Sequence, residues 1–352
     1  MSKNQVMSDD VLAPLSSPGD LLRRVRLLED GGRLVEAIDL LTEVNRRRPD
    51  PKLEFRLTRL RYAAFPTLPA VSGLASWPPP VPPSAPGLDE SLPIPEVSPA
   101  NLSVDALRRG VLGHGSLLVR NLIDPARVEL LIDGIDRAMG SEEPGAEAPG
   151  PPWYQPLPLG PEHGTVMRRG WVRGGGGALT IDSPRMLFTL LEIFESIGLH
   201  DLATGYLGER PALSANKWTL RRVKPDAVGS WHQDGAFLGD GIRALNIWIS
   251  LSPCGVDAPG MDLLPRRLEH IVETGTGGSY FDWDVGPETV AGLAIDTPVV
   301  RPEFGAGDVL FFDDLFLHRT AVSPEMTKDR YAIESWCFAP SAYPPRQVPA
   351  LW

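Results

Sequence analysis

Between residues 66 and 99 the chain reads PTLPAVSGLASWPPPVPPSAPGLDESLPIPEVSP, and this tract sets the first limit on the fold. Each proline fixes its own φ, removes an amide donor and pushes the preceding residue out of the helical region. Neither a helix nor a central strand can persist through it, so polyproline II segments and turns are expected. The tract therefore reads as a linker over 66–99 that runs along the surface of the main domain, with Trp77 and several leucines as anchors.

Ahead of the linker the periodicity is helical. LLRRVRLLEDGG carries leucines at helical spacing and stops at Gly31-Gly32. RLVEAIDLLTEVNRRR repeats the pattern as far as Pro49-Asp50-Pro51, and KLEFRLTRLRYAAF starts a third segment. Residues 1–65 thus form a helical extension. The stretch GGRLVEAIDLLTEVNRRRPD resembles one helix of a tetratricopeptide-type repeat, although such solenoids need several units. Two roles are open to it: docking a protein partner, or packing on the main domain as a plain extension. The second is the simpler.

From about residue 100 the order of elements changes. SVDALRRGVLGHG and DPARVELLIDGIDRAMG read as helices flanking a short strand, 116–122, and a loose proline-rich segment occupies 141–164. Residues 183–208 are helical with a leucine and phenylalanine face. Strands are expected at 215–223, 244–252, 307–314 and 330–338, separated by glycine and proline turns. Helices first and antiparallel strands afterwards predict a mainly β domain with flanking helices over 100–352. The expected form is a double-stranded β-helix, a jelly-roll or cupin-like barrel.

Composition narrows the partners. The net charge of -11 argues against nucleic acid or an anionic membrane surface, since both are polyanions. A local basic patch is still free to bind a small anion. Cys254 and Cys337 are too few for a disulfide framework or a cysteine metal cluster, so both are expected to be small buried hydrophobes. The start, MSKNQVMSDD, has no apolar signal region, and runs such as LNIWISL are too short to span a bilayer. A cytoplasmic location is expected.

The motif GSWHQDG, residues 229–235, holds His232 and Asp234 two positions apart. In a strand such a pair points to one face and can offer an imidazole and a carboxylate to one ion. Of the six histidines, only His318 follows a strand ending in Asp-Asp, in the run DVLFFDDLFLHRT. If the two strands face each other across a barrel, His232, Asp234 and His318 make a two-histidine, one-carboxylate triad. That ligand set leaves three positions open and is diagnostic of non-haem Fe(II) oxygenases. Chance often produces a His-x-Asp with a later His, so the rest of the carboxyl half matters. Thr320 lies two residues past His318, and Arg330 a dozen past it. A guanidinium fork with a hydroxyl beside it suits the remote carboxylate of a dicarboxylic co-substrate whose other end chelates the iron.

Here the chain resembles the phytanoyl-CoA dioxygenase family of Fe(II)/2-oxoglutarate oxygenases. The matching pieces are WHQDG (231–235), NIWISL (246–251), GMDLLPRRLEH (260–270), GAGDVLFFDDLFLHRTAVS (305–323) and the arginine of KDRYAIESW (328–336). With the upstream helices and LRRVKP (220–225), the resemblance extends over 100–345 and leaves the first 99 residues outside it. The family's PGSH-like turn is replaced here by Pro265-Arg266-Arg267-Leu268-Glu269-His270. Its serine two places after the distal histidine is Thr320, which keeps the hydroxyl.

The resemblance implies that His232, Asp234 and His318 bind Fe(II), and that Arg330 with Thr320 binds the distal carboxylate of 2-oxoglutarate. It places Gln233 and Trp248 along the co-substrate pocket. Lys217, on the strand before the motif, would reach the same anion or the substrate; the alternative is an exposed strand lysine. With O2 as second co-substrate, the implied reaction is hydroxylation of a small molecule with release of succinate and CO2. Related halogenases carry Ala or Gly at the carboxylate position, so Asp234 argues against halogenation.

RRGWVRGGGG (168–177) lacks the GxxxxGK[ST] pattern of a nucleotide loop. It reads as a mobile lid with Trp171 or Arg173 touching substrate, or as a plain surface loop. His114, His163, His200 and His270 read as surface or helix-end residues, and His163, within the loose segment, is also a candidate substrate contact. Of Asp313 and Asp314, one is expected to face solvent and the other to cap the turn toward His318. Two other functional classes compete with the oxygenase: a non-catalytic jelly-roll scaffold serving the helical module, and a cupin-type metalloenzyme without 2-oxoglutarate. The triad with Arg330 speaks against the first, and Arg330 with Thr320 against the second. The expected wall segments, 141–180, 236–243 and 272–290, name no substrate. A coenzyme A thioester, a secondary-metabolite scaffold and a carrier-bound amino acid all remain open.

Overall fold

The computed structural model describes residues 18–69, 76–142, 152–160 and 163–352. Parts of the proline tract (70–75) and of the loose segment (143–151 and 161–162) lie outside the described residues, as do residues 1–17.

Three helices come first: α1 (Pro18–Asp30), α2 (Leu34–Arg47) and α3 (Pro51–Ala64). The third begins where local chemistry favours it. Asp50 accepts from the Lys52 amide at 2.8 Å, and Pro51 fills a first-turn position that needs no donor. The apolar faces meet in a small core of Val25, Leu28, Ile38, Leu41 and Leu57, and Leu351 from the other end of the chain completes it. Buried Arg61 donates to the Leu351 carbonyl at 3.1 Å. Arg46–Glu192 and Arg185–Glu54 pairs, at 2.5 and 2.6 Å, tie the unit to the main body. The segment is packed on the main body.

Residues 76–99 lie against the main body as well. Trp77 meets Tyr206 edge-on at 5.5 Å, and Ile94 and Val97 enter the main core. β1 (Glu96–Val97) pairs in parallel with β2 (Ser116–Val119). The helices that follow are α4 (Val104–Arg108), α5 (Pro125–Glu142), α6 (Thr165–Gly174), α7 (Pro184–Ser196) and α8 (Leu199–Leu207). The helical run predicted over 183–208 is broken into α7 and α8 at Gly198, whose φ of 74° a side chain rarely adopts.

The remaining strands are β3 (Gly177–Leu179), β4 (Ala212–Ser214), β5 (Thr219–Val223), β6 (Ala244–Ser250), β7 (Gly260–Leu263), β8 (Val309–Phe312), β9 (His318–Ala321), β10 (Arg330–Phe338) and β11 (Pro349–Leu351). Short helices α9 (Gly235–Leu238) and α10 (Pro287–Leu293) lie between them. The strand predicted over 215–223 is shorter, because a turn holding Asn216 and Lys217 separates β4 from β5.

In the larger sheet β10 runs antiparallel to β6 on one side and to β5 and β4 on the other, and β8 lies beyond β6. Glu334 stands opposite both Trp248 and Thr219, Trp336 opposite Asn246, and Asn246 opposite Phe312. Strand alternation then puts Thr219, Arg221, Asn246, Trp248, Phe312, Arg330, Glu334 and Trp336 on one face. Leu220, Ile247, Ile249, Phe311 and Ile333, on the opposite face, are fully buried in the main core. β7 and β9 form a second, two-stranded sheet in which Leu263 pairs with His318 and Met261 with Thr320. A mixed sheet with flanking helices and a smaller partner sheet is a jelly-roll-like arrangement. Cys254 and Cys337 are buried and free. Among the described residues no helix is long and apolar enough to cross a membrane.

Candidate active site

The segment holding His232 lies beside β9. The His232 amide donates to the His318 carbonyl at 3.0 Å, and the His318 amide returns the bond at 3.1 Å. The two imidazoles are therefore neighbours on adjacent backbones, with ring centroids 4.4 Å apart, and do not face each other across a barrel. Gly229 makes the approach possible, since a Cβ there would lie 2.1 Å from the Thr320 carbonyl oxygen. Gly229→Ala is expected to cost about 2 kcal/mol by overpacking and to weaken Mn(II) binding as His232 is pushed away. A thermal melt with a metal titration checks both effects.

Beyond His232 the chain does not stay extended. Asp234, at φ -61° and ψ -28°, leads into α9, so a turn brings its carboxylate round where the sequence suggested strand alternation. The ligand atoms of His232, Asp234 and His318 all lie within 4.8 Å of one another.

The protonation states suit a cation. His232 Nδ1 lies 2.8 Å from the Ser230 carbonyl, and His318 Nδ1 lies 2.9 Å from that of Phe316. A carbonyl only accepts, so each Nδ1 carries a proton, and in the neutral ring Nε2 is the nitrogen with the free lone pair. Burial, reinforced by His232, brings the His318 imidazole down to about 4. Burial alone would raise the Asp234 carboxyl, but Lys217 and the two imidazoles outweigh it and bring it to about 2. Two ring nitrogens and an ionised carboxylate thus converge, and the residues fit a divalent transition metal.

Lys217 is buried in the β4–β5 turn and is not an exposed strand residue. Its ammonium hydrogen-bonds Asp234 Oδ1 and sits 4.2 Å from the Phe237 ring centroid. Asp234 Oδ2 faces His318 Nε2 at 3.7 Å.

The triad opens into a cavity of about 580 Å³, which Lys217, Trp248, Thr320 and Arg330 also line. Arg330 is 2% exposed and donates to the Gly260 carbonyl at 2.8 Å. Its Nε has no partner, and no described carboxylate pairs with it. Burial lowers this guanidinium to about 10. A buried cation with donors to spare, facing a cavity, is a prepared anion site.

Three sequence candidates lie elsewhere. Gln233 is fully buried but does not line the cavity: its amide donates to the His270 and Leu315 carbonyls at 3.1 and 2.6 Å and accepts from the Val272 amide at 2.8 Å. Its bonding capacity holds loops in place. His163 Nε2 meets the Tyr62 hydroxyl of α3 at 3.3 Å, outside the cavity. Arg173 is exposed and also outside it. The supposed lid loop is largely helical, because Arg168–Gly174 complete α6 and only Gly175 and Gly176 turn into β3. Trp171 does line the cavity, from its rim, at 63% exposure.

Asp313 is buried against Arg267 and accepts from the Leu315 amide at 3.1 Å, which is the turn-capping role. Asp314 is half-buried instead of solvent-facing, and burial together with Asp313 pushes it up to about 8.

Arg168, Arg221, Glu334 and Trp336 line the cavity and were not singled out from the sequence. For Glu334 and Trp336 a signal existed: they stand four and six places after Arg330 in one strand, hence on its face. Arg168 and Arg221 depend on tertiary placement.

No family model matches the chain, and no curated protein matches it. Solved structures do. AviO1 from Streptomyces viridochromogenes Tue57 is 18% identical with a TM-score of 0.42, covering 66% of this chain and 93% of its own. EctD from S. alaskensis, with 2-oxoglutarate and 5-hydroxyectoine, is 17% identical with a TM-score of 0.44, covering 65% and 73%. The epimerase SnoN, in complex with Fe3+, α-ketoglutarate and nogalamycin RO, is 17% identical with a TM-score of 0.45, covering 69% and 86%. The chemistry rests on the side chains in the cavity.

Proposed function

We propose that the cavity is the active site of a non-haem Fe(II)- and 2-oxoglutarate-dependent oxygenase of the phytanoyl-CoA dioxygenase family. In this reading it is built on a double-stranded β-helix and hydroxylates a small molecule. The observation that carries the reading is the presence, in one cavity, of the His232–Asp234–His318 cluster and of Arg330, a buried guanidinium with no carboxylate of its own. A scaffold protein would bear the cost of that unpaired charge without using it.

His232, Asp234 and His318 would hold Fe(II), and Arg330 with Thr320 the distal carboxylate of 2-oxoglutarate. When bound, the iron and its co-substrate supply O2 activation, with succinate and CO2 as by-products. The chain's own residues set geometry. Lys217 hydrogen-bonds Asp234 Oδ1, so Oδ2, on the side of His318 Nε2, would be the oxygen offered to a metal. The backbone carbonyls of Ser230 and Phe316 fix both imidazole tautomers. Trp248, 5.6 Å under the Arg330 guanidinium, forms the apolar wall beside the clamp.

The test is anaerobic addition of Fe(II) and 2-oxoglutarate. A weak visible charge-transfer band of the chelate is expected. Its absence from metal-loaded protein would favour a metalloenzyme that does not use 2-oxoglutarate.

A further inference from the structure

Two arginines of the cavity are left without a task by the oxygenase reading. Arg221 rises from β5 opposite Ala332, whose methyl group leaves the guanidinium room over the sheet. Arg168 descends from α6. Both line the cavity, and the side chain of neither has an ion-pair partner among the described residues. The Arg221 Nε is buried and unpartnered. The glycine run that ends α6 clears space for it: a Cβ on Gly177 would lie 2.9 Å from Arg221 Cδ, and one on Gly175 would lie 3.5 Å from Arg221 Nη2.

The charges do not balance. The cavity is lined by the cations Arg168, Lys217, Arg221 and Arg330 and by the carboxylates Asp234 and Glu334. Lys217 is matched by Asp234. A co-substrate carboxylate would match Arg330. Glu334 accepts from the Thr219 hydroxyl at 3.0 Å and offsets at most one of the two remaining arginines. At least one positive charge is left over, in a protein whose net charge is -11. Around the mouth the surface turns apolar and aromatic: Phe281 and Trp283 stack at 5.0 Å, and Phe281 and Trp171 are 47% and 63% exposed.

We infer that the primary substrate carries an anionic group, a carboxylate or a phosphate, held between Arg168 and Arg221 beneath α6, with an apolar body against Trp171, Phe281 and Trp283. The inference rests on the oxygenase reading, in which Arg330 is taken by the co-substrate.

The experiment uses full-length protein saturated with Mn(II) and 2-oxoglutarate, so that the clamp is filled and no turnover occurs. It is titrated calorimetrically with 2-naphthoate, 2-naphthyl phosphate and the neutral 2-naphthamide. At least one anion is expected to bind about tenfold more tightly than the amide, as charge-assisted fork contacts require. Whichever anion wins identifies the group. Arg168→Gln with Arg221→Gln should erase the preference, whereas Arg168→Lys with Arg221→Lys should keep part of it. The lysine pair keeps the test decisive if the glutamine pair folds poorly. In both double variants the Kd for 2-oxoglutarate should move by less than about threefold.

Equal binding of the amide and both anions to the wild-type protein would overturn the inference. So would a loss of 2-oxoglutarate affinity in the glutamine pair, because the arginines would then belong to the co-substrate clamp. If the wild-type protein binds no 2-oxoglutarate, the oxygenase reading fails by itself. The three probes, titrated with Mn(II) alone, still decide whether Arg168 and Arg221 select an anion.

Discussion

Asp234→Ala is expected to weaken metal binding by at least about 100-fold, beyond what loss of an outer-shell partner alone costs, and to abolish substrate-dependent succinate formation. The loss has two parts. One ligand of three disappears, and the Lys217 ammonium loses the carboxylate it hydrogen-bonds, beside the position a cation would take. The second part has its own signature in metal-free protein. Lys217 is buried, so removing its partner should cost about 3 kcal/mol in stability. Lys217→Met combined with Asp234→Ala should restore the melting temperature but not the metal affinity. Mn(II) calorimetry and thermal melts of the three variants separate the terms. Full turnover by Asp234→Ala would remove the carboxylate from the metal centre.

The second large effect is expected at Arg330. Arg330→Gln should weaken 2-oxoglutarate by about 100-fold or more, the scale of losing a buried, doubly hydrogen-bonded charge pair. Mn(II) affinity should stay within about threefold. Stability should change little, because the lost bond to the Gly260 carbonyl is offset by relief of a buried, unpaired charge. Arg330→Lys should fall between the two, keeping the charge and losing the fork. Calorimetric titration of 2-oxoglutarate into Mn(II)-loaded protein reads all three proteins. An unchanged Kd in Arg330→Gln would take this residue out of the clamp.

Long elements were legible in the sequence, and short ones only in part. β10 occupies the predicted 330–338, because nine residues of β-prone, largely apolar sequence leave little choice. β7 and β9 have four residues each, too few for periodicity to speak. The cluster of His232, Asp234 and His318 could be read from residue type and spacing, but its route could not. Pairing of the two histidines rests on one isolated bridge, and Asp234 sits in a turn. Side-chain direction was the weak point. Gln233 has the right chemistry for a pocket, yet three backbone groups on distant loops claim its amide. His163 is engaged by Tyr62, 101 residues away in sequence. The glycines after α6 looked like a loop because their role, making room for Arg221, involves a strand more than forty positions downstream.

The alternation along β10 bears on how such a protein can change over generations. Arg330, Glu334 and Trp336 face the cavity, while Ile333, Ser335 and Cys337 of the same strand face the helices. Loss or gain of one residue early in this strand would turn the two sets over together, sending the guanidinium into the apolar core and isoleucine into the cavity. Descendants can therefore alter this wall one side chain at a time but cannot lengthen or shorten it. Variation in chain length has to be absorbed elsewhere, in the connections between elements.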